Sequence, residues 1–252
     1  MSFEEKVLVV TPTWNEEESV EQHLRDIFRE LPGISVLVVD DSSTDRTPAI
    51  VNALRSEFAR LHLIERKGPR NFVRSYCEGL GWGVERGYEA LVSMDADRSH
   101  PAEAIEALLE AGRDADLVVA SRYLQGVSVR NWPLRRVLLS ALANRYARFL
   151  TTVPCTDMTS GFCLYRASLL KDVLQNSLFS SGYAFQIEMK YRAWLAGATL
   201  REVAYTFVER RSGDSKLNWR RILEGTAAPL WCRLRVRRPR PARTPASNRT
   251  SR

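Results

Sequence analysis

The chain has little histidine and little cysteine, three and four residues among 252. Cys77, Cys155, Cys163 and Cys232 show no Cys-x-x-Cys spacing, and no histidine cluster accompanies them. This argues against a zinc site or a disulfide framework and predicts free thiols in a reducing compartment, hence a cytoplasmic protein. Long apolar runs are also missing, and none reaches the ~18–20 residues of a membrane span. The opening Met-Ser-Phe-Glu-Glu-Lys lacks the apolar stretch of a signal peptide. There is no internal repeat, and no zinc, RRM or KH signature of a nucleic-acid binder. What is there is ordinary globular composition, 44% hydrophobic and 27% charged, enough for one large domain with a core.

The net charge of +7 conceals an asymmetry. Residues 1–120 carry 13 Lys+Arg against 23 Asp+Glu, a net of −10, whereas residues 121–252 carry 24 against 7, a net of +17. Acids in the first half suit a metal. Bases in the second suit something anionic: phosphate, a membrane surface or nucleic acid.

Apolar runs at 7–10, 36–39, 61–64, 91–94 and 117–120 read as buried strands. Helical spacing predicts helices over 16–31, through Ile50, Val51 and Leu54, over 72–87 and over 101–111. Alternating strands and helices imply an α/β fold with a parallel sheet covered on both faces. Ligands in such sheets bind beyond the carboxyl ends of the strands. After about residue 124 the pattern changes. Residues 134–150 set Leu138, Leu139, Leu142, Tyr146, Phe149 and Leu150 among Arg135, Arg136, Arg145 and Arg148, an amphipathic basic helix suited either to ordinary packing or to a membrane surface. Residues 233–252 hold eight arginines and no acids and read as a disordered tail, solvated or held to anionic lipid.

Three polar motifs each follow a strand and so should line one sheet edge. The sharpest is Asp95-Ala96-Asp97. Two carboxylates so close repel unless a cation sits between them, and a hard divalent ion with positions open for phosphate oxygens fits. Thr11-Pro12-Thr13-Trp14-Asn15-Glu16 offers an aromatic ring for a base, and Asp40-Asp41-Ser42-Ser43-Thr44-Asp45 offers carboxylates for ribose hydroxyls. Taken singly, each motif is equally a strand-end turn or a helix N-cap, or a loop of solvated acids.

In this order, the motifs resemble the family 2 glycosyltransferases of GT-A fold, most closely the dolichol- or polyprenol-phosphate mannose synthases. The resemblance runs from about Val7 to Leu217. Besides the motifs above it rests on Ala120-Ser121-Arg122-Tyr123, Asn131-Trp132-Pro133, Thr159-Ser160-Gly161-Phe162, Gly182-Tyr183-Ala184-Phe185-Gln186-Ile187-Glu188 and Glu209-Arg210-Arg211-Ser212-Gly213-Asp214-Ser215-Lys216. It implies a mostly parallel sheet flanked by helices over 1–217; beyond that stretch the residues themselves read as an amphipathic basic helix over 218–236, suited to contact with a membrane surface, and a disordered tail over 237–252. The resemblance implies donor binding by Pro12, Trp14, Glu16 and Asp40, and Mg²⁺ or Mn²⁺ held by Asp95, Asp97 and Ser99. Arg122, Arg136, Ser140, Arg211 and Lys216 are implied around the acceptor phosphate and the donor diphosphate. Gln186 joins the substrate contacts, and Asp157 is the carboxylate expected nearest the acceptor.

The implied activity is transfer of a hexose, mannose from GDP-mannose, to polyprenyl phosphate at the cytoplasmic face of a membrane. A phosphate monoester has its second pKa near ~6 and is largely dianionic at neutral pH, so it needs no strong general base. In-line attack inverts the anomeric centre, with no covalent sugar–enzyme intermediate and Asp97 as a ligand rather than a nucleophile. Without an apolar span, the polyprenol is reached from the surface through Arg135 to Leu150, Asn218 to Val236 and the arginine tail.

Two departures bear on the donor. Arg70-Asn71-Phe72-Val73-Arg74 stands where many relatives carry Gly-Leu-Gly, and Gly126-Val127 replaces a double glycine. Bulk at the first place, where backbone is expected to pass close to the nucleotide or sugar, keeps UDP-glucose or a UDP-amino sugar open as donor. An inactive relative and a basic nucleic-acid-binding protein are the further alternatives; the mixing of bases with Leu and Phe speaks against the latter.

Overall fold

The computed structural model describes residues 2–180, 182, 184–208 and 219–236. In chain order these form β1 (Val7–Thr13), α1 (Val20–Glu30), β2 (Ser35–Asp40), α2 (Thr47–Leu54), β3 (Leu61–Glu65), α3 (Phe72–Glu85), β4 (Ala90–Ser93), α4 (Ala104–Ala111) and β5 (Leu117–Ser121). There follow β6 (Val129–Arg130), α5 (Leu134–Thr151), β7 (Cys163–Arg166), α6 (Ala167–Val173), α7 (Ala184–Leu195), β8 (Leu200–Ala204), β9 (Phe207–Val208) and α8 (Trp219–Arg235).

Seven strands make one sheet in the order β3-β2-β1-β4-β7-β5-β8, and β6 pairs with β9 in a small ribbon. The sheet is mostly parallel, as the alternation predicts. The exception is β7, antiparallel to both β4 and β5. The chain reaches β7 from the carboxyl edge of its neighbours, so it must enter the sheet in the opposite sense. That reversal puts Gly161, just before β7, on the same edge as the ends of β1, β2, β4 and β5.

The buried strands sort their side chains with period two. Leu8, Val10, Leu37, Val39, Leu91, Leu117 and Val119 face one core, joined by Tyr76 and Leu80 of α3, Leu170 of α6, Met189 of α7 and Cys232 of α8. Val7, Val9, Val36, Val38, Val92, Val118 and Ala120 face the other, joined by Leu24 and Ile27 of α1, Val51 of α2 and Leu108 of α4. Both faces are therefore covered, which is why these strands read as continuous apolar runs.

Two helices start later than their periodicity predicts. Expected from residue 16, α1 begins at Val20, because Glu16–Ser19 close a turn through Ser19 N–H to Glu16 O (3.0 Å) and Glu16 N–H turns to Thr47 Oγ1 (2.8 Å). Expected from Pro101, α4 begins at Ala104 after a turn closed by Ala104 N–H on Pro101 O (3.2 Å). All four cysteines are unpaired, matching their spacing.

At Gly79, α3 lies flush on the sheet: a Cβ there would stand 2.4 Å from Val10 Cγ1 and 2.9 Å from Val39 Cγ2. Two effects oppose in Gly79→Ala. Overpacking costs about 1–3 kcal/mol and the better helix propensity returns at most about 1 kcal/mol. The variant is expected to lose about 1–2 kcal/mol in urea unfolding, and an unchanged midpoint would mean that α3 is free to shift.

Candidate active site

The first wall of the site is built by the loops after β1 and β2, which are stapled together. Asp40, buried at the end of β2, accepts from Thr13 Oγ1 (3.0 Å), Ser43 N–H (2.9 Å) and Ser43 Oγ (2.6 Å). Asn15 holds φ 53°, a left-handed conformation that asparagine tolerates. Its N–H donates to Ser43 Oγ (2.9 Å) and its Oδ1 accepts Thr44 N–H (2.9 Å). Glu16 accepts Ser19 Oγ–H (2.8 Å), and Pro12 sits half-buried within β1. Trp14 lies under the guanidinium of Arg70, 3.7 Å from its ring centroid.

The segment at 70–74 shows how its bulk is accommodated. Asn71 is extended, φ −152°, and caps α3 by accepting Arg74 N–H (2.9 Å), while its own N–H donates to Asp41 (2.8 Å). Asp41 in turn pairs with buried Arg66. Phe72 packs edge-on against Tyr76 (5.1 Å) and Phe185 (5.7 Å). No left-handed glycine conformation is needed at Asn71, and the Phe72 ring is spent on an aromatic cluster beneath Asp95.

Asp95 and Asp97 follow β4. Tyr76 Oη donates to Asp95 Oδ1 (2.6 Å), and Asp95 N–H donates to His100 Nδ1 (3.1 Å). Burial raises the pKa of Asp95, with Asp97 adding to it, while the charge of Arg122 pulls the other way. Burial lowers that of His100, in keeping with an Nδ1 that accepts. Asp97 Oδ1 accepts Ser99 N–H (3.0 Å) across a turn with Arg98 at φ 62°, and Ser99 is buried. Behind them His23, bonded to Thr11 Oγ1 (3.2 Å), is pushed by burial to a pKa of about 4. The donors here are hard oxygens. Among the described residues no three His, Cys, Asp or Glu side chains converge. A site of two carboxylates whose other ligands come from phosphate and water is the pattern for Mg²⁺ or Mn²⁺, so the residues fit such an ion.

The opposite wall centres on Arg122, at the end of β5. Its guanidinium grips Asp157 through Nε and Nη2 (both 2.7 Å), and Nη2 also reaches Thr159 Oγ1 (2.8 Å). Asp157 is fully buried. Burial pushes its pKa up, but the charge and hydrogen bonds of Arg122 outweigh that and leave it below the usual carboxylate value. The sequence places both residues near the acceptor; the structure spends much of each on the other. Arg136 stacks on Trp132, 4.1 Å from the ring centroid. Ser140 accepts Tyr123 Oη–H or donates to it (2.7 Å). Gln186, buried on α7, closes the floor: a Cβ on Gly161 would meet its Nε2 at 3.2 Å and Asp95 Oδ2 at 3.9 Å. The structure thus gathers Asp95, Gln186 and Gly161 directly, with Asp97 and Ser99 in the turn beyond Asp95. Arg211 and Lys216 lie outside the described residues.

Several contributors carry little sequence signal. Tyr76 reads as one more apolar position of a helix. Asn144 is buried in α5 and ties it to the 157–159 loop, its Oδ1 accepting Thr159 N–H (3.3 Å). Glu202 of β8 holds Thr156 N–H (2.8 Å) and Thr156 Oγ1 (2.6 Å), which sets Asp157 in place. The one hint in the sequence is Asn144 between small residues, Ala141, Ala143 and Ala147, on a helix otherwise rich in Leu and Arg.

Residues 8–174 match the family described as Glycosyl transferase family 2. The polyprenol monophosphomannose synthase of Mycolicibacterium smegmatis is 40% identical over 222 residues, covering 87% of this chain and 84% of that protein. The undecaprenyl-phosphate mannosyltransferase of Micrococcus luteus is 39% identical over 213 residues, covering 84% and 88%. Among solved structures, glucosyl-3-phosphoglycerate synthase from Mycobacterium tuberculosis, in complex with Mn²⁺, uridine diphosphate and phosphoglyceric acid, superposes with a TM-score of 0.66 at 18% identity, covering 93% of this chain and 82% of that one. At that identity the likeness is one of fold.

Removing Asp157 strands a buried guanidinium, so Asp157→Ala is expected to cost about 3–5 kcal/mol in unfolding free energy at neutral pH. The sign with pH follows from the depressed pKa. The contribution is full above the ordinary carboxylate value of 3.8 and is lost as pH falls through the folded value. Urea titrations from pH 7 downward should show the gap between the two proteins narrowing only below about pH 4; a gap that narrows already at pH 6 assigns it to another group.

Proposed function

The chain belongs to glycosyl transferase family 2, and on that premise we propose that it transfers mannose from GDP-mannose to a polyprenyl phosphate, with inversion, assisted by Mg²⁺ or Mn²⁺. The observation that carries this reading is one of placement. The Asp95–Asp97 pair stands between the Trp14–Asp40 wall and the arginine-bearing wall, on one sheet edge. Two relatives named for mannosyl transfer to polyprenol-type lipids, at about 40% identity, support the substrates.

In this reading Trp14 offers its ring to the guanine and Asp40, rigidly held by Thr13 and Ser43, faces the ribose. Asp95 and Asp97, with Ser99, hold the divalent ion, which when bound offsets charge on the departing diphosphate. Arg122 and Arg136 orient the acceptor phosphate as fixed, poorly hydrated cations, the first locked by Asp157 and the second by Trp132. Ser140 and Gln186 complete the contacts. Arg211 and Lys216 are assigned to the diphosphate from the sequence alone. The dianionic phosphate attacks the anomeric carbon itself, so no residue here need take its proton. Asp157, already committed to Arg122, acts by aiming that side chain rather than as a base.

The acceptor's chain calls for a membrane surface. Among the described residues no helix is long and apolar enough to cross one. Yet α5 turns Asn144, Ala147 and Thr151 inward and leaves Leu134 (72% exposed), Leu142 (65%) and Phe149 (79%) outside. Arg135, Arg145 and Arg148 lie exposed among them, and Leu234 of α8 is exposed as well. An apolar stripe edged by arginines suits peripheral contact with anionic lipid. The alternative donor, a UDP-sugar, is favoured only by the bulk at 70–74.

A donor screen tests the reading. With Mg²⁺, a short polyprenyl phosphate and GDP-mannose, UDP-glucose or UDP-N-acetylglucosamine in turn, mass measurement of the lipid should find a hexose adduct from GDP-mannose alone. A product only from a UDP-sugar overturns the donor, and no product at all overturns the activity. Asp97→Ala is expected to abolish turnover with either ion; survival of activity removes Asp97 from the metal site. In vesicle flotation, replacing Leu138, Leu142 and Phe149 by Gln should weaken binding to anionic vesicles by about tenfold or more. Binding unchanged by that replacement would move the contact elsewhere.

A further inference from the structure

Lys190 stands in the middle of α7 with no exposed surface. A buried ammonium is costly, and no carboxylate pairs with it directly among the described residues' salt bridges. Its Nζ instead donates to two main-chain carbonyls, Ser160 O (2.7 Å) and Gln186 O (3.4 Å). Its charge reaches Asp157, whose carboxyl, held ionised mainly by Arg122, it also helps to keep ionised.

The two carbonyls are informative. Ser160 precedes Gly161, the residue whose missing Cβ leaves room for Gln186 and Asp95 to approach. From the other side Ser93, the last residue of β4, donates its hydroxyl to Gly161 O (2.7 Å). The Ser160–Gly161 peptides are therefore clamped between the strand that delivers Asp95 and the helix that delivers Gln186. Gln186 is also the i−4 residue of Lys190, so the same ammonium fixes the first turn of α7 and the turn that faces it.

We propose that Lys190 is a positioning residue: its ammonium, bridging the Ser160 and Gln186 carbonyls, sets the separation of Asp95 and Gln186 across Gly161. This rests on the glycosyl-transfer reading of the site. An apolar side chain of similar length fills most of the same space but leaves Ser160 O with only the weak Cys163 thiol (3.6 Å), while Gln186 O keeps the helical N–H of residue 190 and loses its link to that turn. The turn then relaxes toward other partners, and the carboxylate and the amide lose their mutual register. Misplacement on this scale is felt in turnover, while the donor wall, built from the loops after β1 and β2, is untouched.

The test compares Lys190→Met with Leu170→Ala, a truncation in the same core at a position on α6 to which no role in the site is assigned, which serves as the control for lost stability. Thermal midpoints are measured for both. Lys190→Met is expected to lower kcat on the order of tenfold to a hundredfold beyond the control, with the KM for nucleotide sugar within about threefold of the unaltered protein. Lys190→Gln, which keeps a donor, guards against loss of fold and should fall between. A kcat for both Lys190 variants within about twofold of the control, or a loss carried by KM instead, overturns the proposal. The assay uses whichever nucleotide sugar the unaltered protein turns over. A failure with GDP-mannose therefore refutes the donor reading while the ratio between variants remains readable.

Discussion

The buried pair of Arg122 and Asp157 is the contact on which the second half of the molecule leans. It joins the end of β5 to the 156–159 loop. That loop is held from below by Glu202 of β8 and from the side by Asn144 of α5. Four stretches of chain, around residues 122, 144, 157 and 202, meet about one ion pair. Such a pair adds little net stability over an apolar substitute, because desolvation offsets the attraction. What it supplies is geometry: a planar guanidinium with two fixed hydrogen bonds has one orientation.

The same physics separates two aspartates of identical chemistry. Asp95 has burial and a like-charged neighbour against it, and its pKa rises. Asp157 has burial against it and an arginine for it, and its pKa falls. The first is a carboxylate in need of a cation, the second one already supplied. Asp95 of the acidic first half and Arg122 of the basic second half thus meet along one sheet edge with different duties.

Much of the first half was legible in the sequence because its strands are buried on both faces and read as unbroken apolar runs. The strand-end motifs, Asp95-Ala96-Asp97 foremost, were legible for the same reason: the runs stop where the polar residues begin. Beyond residue 124 the pattern fails for identifiable causes. On α7, Glu188, Lys190 and Arg192 are buried or nearly so and bind main-chain groups, so the charges that ordinarily mark a solvent face lie inside. On α5 the inward face carries Asn144 and Thr151 and the outward face carries leucines, the reverse of a soluble helix. The lateness of α1 and the partners of Tyr76 and Glu202 depend on contacts across long stretches of chain, which no local spacing encodes.

Because α5 shows the site one face and the surroundings the other, its own thickness is a ruler. An α-helix with side chains is about 10–12 Å across. On the proposed membrane contact, with the outer leucines at the level of the acyl chains, Ser140 and Arg136 would stand about one helix diameter above them, at the depth of lipid headgroups. A phosphate carried on a long isoprenoid already lies in that layer. On the proposed contact, the lipid would then not have to be lifted out of the bilayer to react: its phosphate would meet the site at the height where it already lies.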